Sequence, residues 1–189
     1  MAVQGAYLAP RYERLMSTRP PPAKSAGLEP VLTAERPQDL PLVDALIDRA
    51  FGPGRFVKTA ERLREGNTPR RDLSLVAWAD GEAVGCVRMW PIHIGEAPAV
   101  LLGPFAVDDA WRSRGLGGQL IEAACAAAER AGVGAVLLVG DEPYFRKLGF
   151  EMIPLGRATL PGPVDGRRLL WRALRPGALD GVQGPVRPG

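Results

Sequence analysis

Arg112-x-x-Gly115-x-Gly117, continued by Gly118 and carrying a second arginine at Arg114, is the spacing in this chain most able to do chemistry. It follows an apolar run from Val100 to Val107 and opens an alanine-rich stretch from Gly115 to Ala131, so it reads as strand, polar turn and helix. The first turn of a helix leaves about four backbone N–H groups without intrahelical partners. Glycines at 115, 117 and 118 put no side chain over those donors, and Arg112 and Arg114 add positive charge. Such a turn is suited to an anion, most simply a phosphate or diphosphate. A P-loop is excluded, because Gly117-Gly118-Gln119 supplies neither the lysine nor the hydroxyl it needs. The dinucleotide fingerprint fails too: Leu120 stands where its third glycine falls, and no acidic residue ends a following strand at the right distance.

About thirty residues on, Ala135–Val139 reads as a second strand, Gly140-Asp141-Glu142-Pro143 as a capped helix start, and Tyr144 to Phe150 as a short helix closed by Gly149-Phe150. Taken in order, the two stretches resemble the GNAT superfamily of acyl-coenzyme A N-acyltransferases. The first resembles its diphosphate motif, the second its fifth strand, fourth helix and closing Gly-Phe turn, and the resemblance spans residues 30–174.

That resemblance implies an α+β fold, a central mixed sheet of six to seven strands flanked by about four helices. It implies acetyl-CoA as the acyl donor, with no metal. The diphosphate would rest on the amides of Arg114, Gly115, Leu116, Gly117, Gly118 and Gln119, beside Arg112. Backbone groups of Phe105, Ala106 and Val107 would hold the pantetheine arm and polarise the thioester carbonyl; Pro104 has no N–H to offer. The acceptor would be a primary amine of a small molecule or peptide, acetylated by direct transfer, and a homodimer is possible. The family's acid tyrosine aligns with Phe145, so the hydroxyl next to it, on Tyr144, becomes the candidate general acid although it points about 100° away on a helix. No carboxylate lies between Val100 and Val107, which leaves His93, the one histidine, as candidate general base. Glu96, Asp108 and Asp109 read as turn and cap residues. The competing reading is a non-catalytic acyl-CoA sensor or scaffold.

The elements that must position these groups follow from pattern. Pro30–Glu35 reads as a first strand. Leu42, Val43, Leu46, Ile47 and Ala50 recur at helical spacing, with Asp39 or Gln38 at the cap, and Phe56–Gly66 reads as a second helix; the resemblance implies that these two helices line the acceptor side, which makes Phe51, Arg55 and Phe56 candidate specificity residues, while both phenylalanines read first as core. Leu73–Ala79 and Ala83–Trp90 flank Asp80-Gly81 as a hairpin, and from Pro91 to Gly95 the chain either extends the second strand past a bulge or forms its end. Leu116, Leu120, Ala124, Ala127 and Ala131 form the stripe of the crossover helix. Glu151–Pro154 and Arg168–Leu174 are the last expected strands.

Residues 1–28 read as a flexible extension, with Met16 an alternative start, 29–174 as the acyltransferase domain, and the Pro-, Gly- and Arg-rich 175–189 as a disordered tail. With 189 residues, 46% of them apolar, one sizeable core is the expectation. The net charge of +3 comes almost wholly from arginine interleaved with acids, which argues against a nucleic-acid face. No apolar run reaches the roughly 20 residues of a membrane span, so the expectation is a cytoplasmic protein without membrane partners. Cys86 and Cys125 read as small buried hydrophobes, with Cys125 as a nucleophile the sharper alternative.

Overall fold

The hairpin marked by Asp80-Gly81 is the simplest element to derive. Both residues take positive φ, 52° and 77°, as a tight two-residue hairpin turn demands. They join Leu75–Ala79 (β2) to the long strand Glu82–Ile94 (β3), and Val31–Ala34 (β1) lies antiparallel on the other side of β2. The computed structural model describes residues 29–52, 54 and 58–189, so the expected extension and the candidates Arg55 and Phe56 lie outside the described residues.

From β3 the chain turns into Ala97–Val107 (β4), crosses by a 15-residue helix, Leu116–Arg130, and enters Ala135–Val139 (β5) parallel to β4. Leu169–Ala173 (β8) pairs antiparallel with β5, and Glu151–Met152 (β6) edges β8. The order β1-β2-β3-β4-β5-β8-β6 is the mixed α+β sheet expected, and Ala158–Thr159 (β7) and Gly184–Pro188 (β9) bring its strands to nine. The α-helices among the described residues are Leu40–Phe51 (α1), the crossover helix (α2) and Glu142–Phe145 (α3). The helix expected over 56–66 is, in its described part, the 3-10 turn Thr59–Leu63. Only Leu63 is buried there and no side chain caps its start, too little to carry a longer helix.

The two helical layers lie on opposite faces of the sheet. On α2 the buried stripe is Leu116, Leu120, Ile121, Ala124, Cys125 and Ala128. The stripe therefore drifts round the helix from the one expected, since 3.6 residues per turn carry Ala131 out to solvent. On the other face α1 buries Val43, Leu46 and Ile47 against Val76, Cys86 and Ala106, and Leu42 points outward. Arg88 of β3 ties this layer down: its guanidinium donates to both Glu35 carboxylate oxygens at 2.8–3.1 Å and to Asp44 of α1 at 2.8 Å.

One open alternative is settled, with β3 running on to Ile94, and one expectation is corrected. Pro91 does not end β3, because its carbonyl, and with it the side its missing N–H would face, points away from β4; β2 has ended there and the Gly189 N–H meets the Pro91 carbonyl at 3.0 Å. The tail from residue 175 is also ordered. β9 pairs with Ile92–Ile94 and with β7, and Val182 and Val186 bury beside Ile92 and Leu160. Truncation after Leu174 is expected to cost about 3–6 kcal/mol for those two valines alone, visible as a lower urea midpoint. An unchanged midpoint would show the segment to be dispensable.

Candidate active site

A bulge in β4 creates the site. Val87 pairs with Phe105 and Met89 with Leu102, so Gly103 and Pro104 together oppose the single residue Arg88. The extra residue bends β4, and its pairing with β5 stops after Val100–Val136 and Leu101–Leu137. Beyond that point the parallel strands part around a cavity of about 500 Å³. Its lining takes Leu102, Leu138 and Phe145 from the α2 face and Leu101 from the opposite face, so the opening passes through the sheet. On the α1 side it is walled by Phe51, Lys58, Thr59 and Arg64, and by the loop from Pro163 to Asp165 with Arg168 beyond it. Thr59 and Arg62 hold that loop, donating to the carbonyls of Pro163 and, at 2.6 Å, Pro161.

Strand alternation decides which β4 amides face the gap. The Asp108 N–H donates to the Val84 carbonyl at 2.9 Å, which turns Ala106 toward β3 as well and leaves Phe105 and Val107 toward the opening. Of the three backbone candidates, Ala106 is therefore committed to the β3 ladder.

At the mouth on the α2 side lies the glycine turn. Gly115 is the N-cap of α2 in a left-handed conformation (φ 81°), which favours glycine there, and the free N–H groups of Leu116, Gly117 and Gly118 begin the helix. The glycines at 117 and 118 also make room for neighbouring side chains. A Cβ at Gly117 would lie 2.6 Å from the Tyr144 hydroxyl and 3.0 Å from the Phe105 ring, and one at Gly118 would sit 3.6 Å from Leu148. Arg114 stacks over Trp111 at 5.1 Å, and Arg112 is held by Asp109 at 2.9 Å and by the Val107 carbonyl.

The candidate acid and base are not brought together. His93 pairs with Pro98 and Arg187 at the far end of β3, five residues before the bulge along β4, and does not line the cavity. Tyr144 rests its hydroxyl against Gly117, outside the lining, while Phe145 fills the cavity wall and packs edge-on against Tyr144 and Phe150. Burial pushes the Tyr144 phenol above its ordinary range. Cys86 and Cys125 are buried, and burial pushes both thiols up to about 12, so neither supplies a thiolate and the nucleophile alternative falls. Phe51, read from sequence as core, is 39% exposed on the cavity wall.

Sequence reading missed Lys58, Thr59, Arg64 and the 163–168 wall, which reach the cavity only through tertiary packing. Asp141 carried a signal, since it lies two residues past the end of β5. It is the N-cap residue of α3, as expected, yet its side chain makes no capping hydrogen bond and the residue lines the opening.

With this geometry in place, comparison with known proteins identifies the class. The family model described as acetyltransferase (GNAT) domain matches residues 70–152. The N-acetyltransferase YhbS of Escherichia coli is 32% identical over 159 residues, covering 82% of this chain and 94% of that protein. The chain belongs to the GNAT superfamily and is an acyltransferase. Among solved structures, E. coli YhbS in complex with CoA aligns with a TM-score of 0.73 at 29% identity over 91% of this chain and 94% of that one. A GNAT acetyltransferase of Brucella melitensis in complex with acetyl-CoA aligns at 0.63 and 28% identity, over 85% and 96%. No helix among the described residues is long and apolar enough to cross a membrane.

Proposed function

We propose that this chain transfers an acetyl group from acetyl-CoA directly to a primary amine. The observation that carries the reading is the gap between β4 and β5 with the glycine turn of α2 at its mouth. The free α2 amides of Leu116, Gly117 and Gly118, with Arg112 and Arg114, hold the donor's diphosphate, the expected Gln119 N–H being spent on the Gly115 carbonyl at 3.1 Å, and the Phe105 and Val107 amides face its arm. Acetyl-CoA supplies the activated thioester: an ammonium acceptor first gives one proton to solvent, the neutral amine nitrogen then bonds the acyl carbon, the C–S bond breaks, and the proton lost from nitrogen leaves on the sulfur as the thiol. This chain's residues orient both partners in a cavity walled by apolar and charged side chains, none of them placed as a paired acid and base, so proximity and backbone donors bear most of the rate enhancement.

Tyr144 belongs to donor holding on this reading, because its hydroxyl stands at Gly117 and Phe145 takes the cavity position. Tyr144→Phe is expected to weaken CoA binding about 5-fold, the loss of one hydrogen bond, with turnover at saturating donor changed less than about 2-fold. A fall of about 100-fold or more in turnover at unchanged affinity would instead make the hydroxyl the general acid. The reading as a whole is tested by titrating CoA calorimetrically and following thiol release with an amine panel. Absent binding defeats it, and binding without any amine-dependent release leaves the sensor or scaffold.

A further inference from the structure

Resting on that reading, we infer that the acceptor is an amine that also carries an acidic group, such as a free amino acid, its ammonium taken by Asp141 and its carboxylate by Arg168 and Lys58. The cavity wall holds five charged residues, and two of them are already balanced. Arg64 is held by Glu61 at 2.8 Å with both side chains largely buried, and Asp165 is held by the Arg167 guanidinium at 2.9 Å, which keeps its carboxyl below the usual range. Three remain without an ion pair among the described residues.

Arg168 and Asp141 meet at the end of β5, and Lys58 lies on the α1 side. Arg168 begins the approach to β8, its Nε 3.4 Å from the Gly140 carbonyl and its backbone carbonyl accepting from Gly140, so it stands at the rim where β5 ends. Lys58 lies on the facing wall, its ammonium 5.2 Å over the Phe51 ring. Asp141 follows Gly140 at the start of α3, its carboxylate unused by the helix. A guanidinium matches a carboxylate in a planar, two-bond contact, and a lone carboxylate matches an ammonium. The remaining lining is apolar, with Phe51, Val164 and Phe145 positioned for a hydrocarbon side chain. A polycationic acceptor would set its further ammonium groups against Lys58 and Arg168, with one carboxylate in return.

The matched pair phenylalanine and phenylalaninamide isolates the carboxylate, and putrescine represents the dications. With acetyl-CoA and the full chain, kcat/KM for phenylalanine is expected to exceed that for its amide by about 10-fold or more, carried mainly in KM. Arg168→Gln combined with Lys58→Gln should shrink the ratio below about 3-fold. Equal or better use of the amide or of putrescine, or no turnover of leucine, phenylalanine or glutamate, overturns the inference. CoA titration of the same preparation separates the failures: CoA bound with a preference for non-acidic amines refutes the acceptor class alone, while no CoA binding refutes the transferase reading beneath it.

Discussion

Arg88→Met is expected to destabilise the protein by about 3–5 kcal/mol, the loss seen when one partner leaves a buried ion pair and the other stays charged and unpaired. The Glu35 side chain is fully buried, and Arg88 is its ion-pair partner among the described residues as well as the link to Asp44 on α1. For a domain of this size the shift in Tm is about 6–20 °C. Adding Glu35→Leu to Arg88→Met removes the stranded charge and should recover at least half of the loss. A single-variant cost below about 1 kcal/mol would show that water reaches Glu35. The consequence extends to the site, because the network fixes α1 against β3 and so sets where Phe51 stands on the cavity wall.

Gly117→Asp is expected to lower CoA affinity about 100-fold or more, equivalent to one or two charge-assisted hydrogen bonds lost. The new Cβ meets the Tyr144 hydroxyl at 2.6 Å and the Phe105 ring at 3.0 Å, and the carboxylate is set against the diphosphate at the donors meant for it. The fold should survive, since an acidic residue in the first turn favours a helix by about 0.3–1 kcal/mol. Gly117→Ala separates the causes: it keeps the steric part without the charge and should fall between. Affinity unaltered in both variants would place the anion site elsewhere.

How much of this was legible in the sequence depended on how local the cause was. The hairpin, the crossover and the glycine turn were readable because Asp80-Gly81, the alanine-rich helix and Gly115 each impose their conformation within a few residues. Pro91 left extension and termination of the strand both open because strand interruption depends on which neighbour the missing donor faces, and that neighbour, β9, lies nearly a hundred residues away. The same distance hid β9 itself: Gly184-Pro185 and Pro188 suggest disorder until Val182 and Val186 find Ile92 and Leu160. In the site, the glycine turn that starts α2 was local and legible. The cavity wall was not, because Lys58, Arg64 and Arg168 converge only through packing. Arg88 offered a hint, a lone charge inside the apolar strand from Val84 to Met89, but Glu35 and Asp44 could not be assigned to it from spacing. His93 was chosen for its chemistry, and its strand register placed it at the wrong end.

The opening that runs through the sheet has a kinetic consequence on the proposed reading. Donor and acceptor arrive from opposite sides, so neither blocks the other's doorway and no compulsory order of addition is built in. Double-reciprocal plots at several fixed donor concentrations should intersect instead of running parallel, and free CoA can depart while the acetylated amine still occupies the far side.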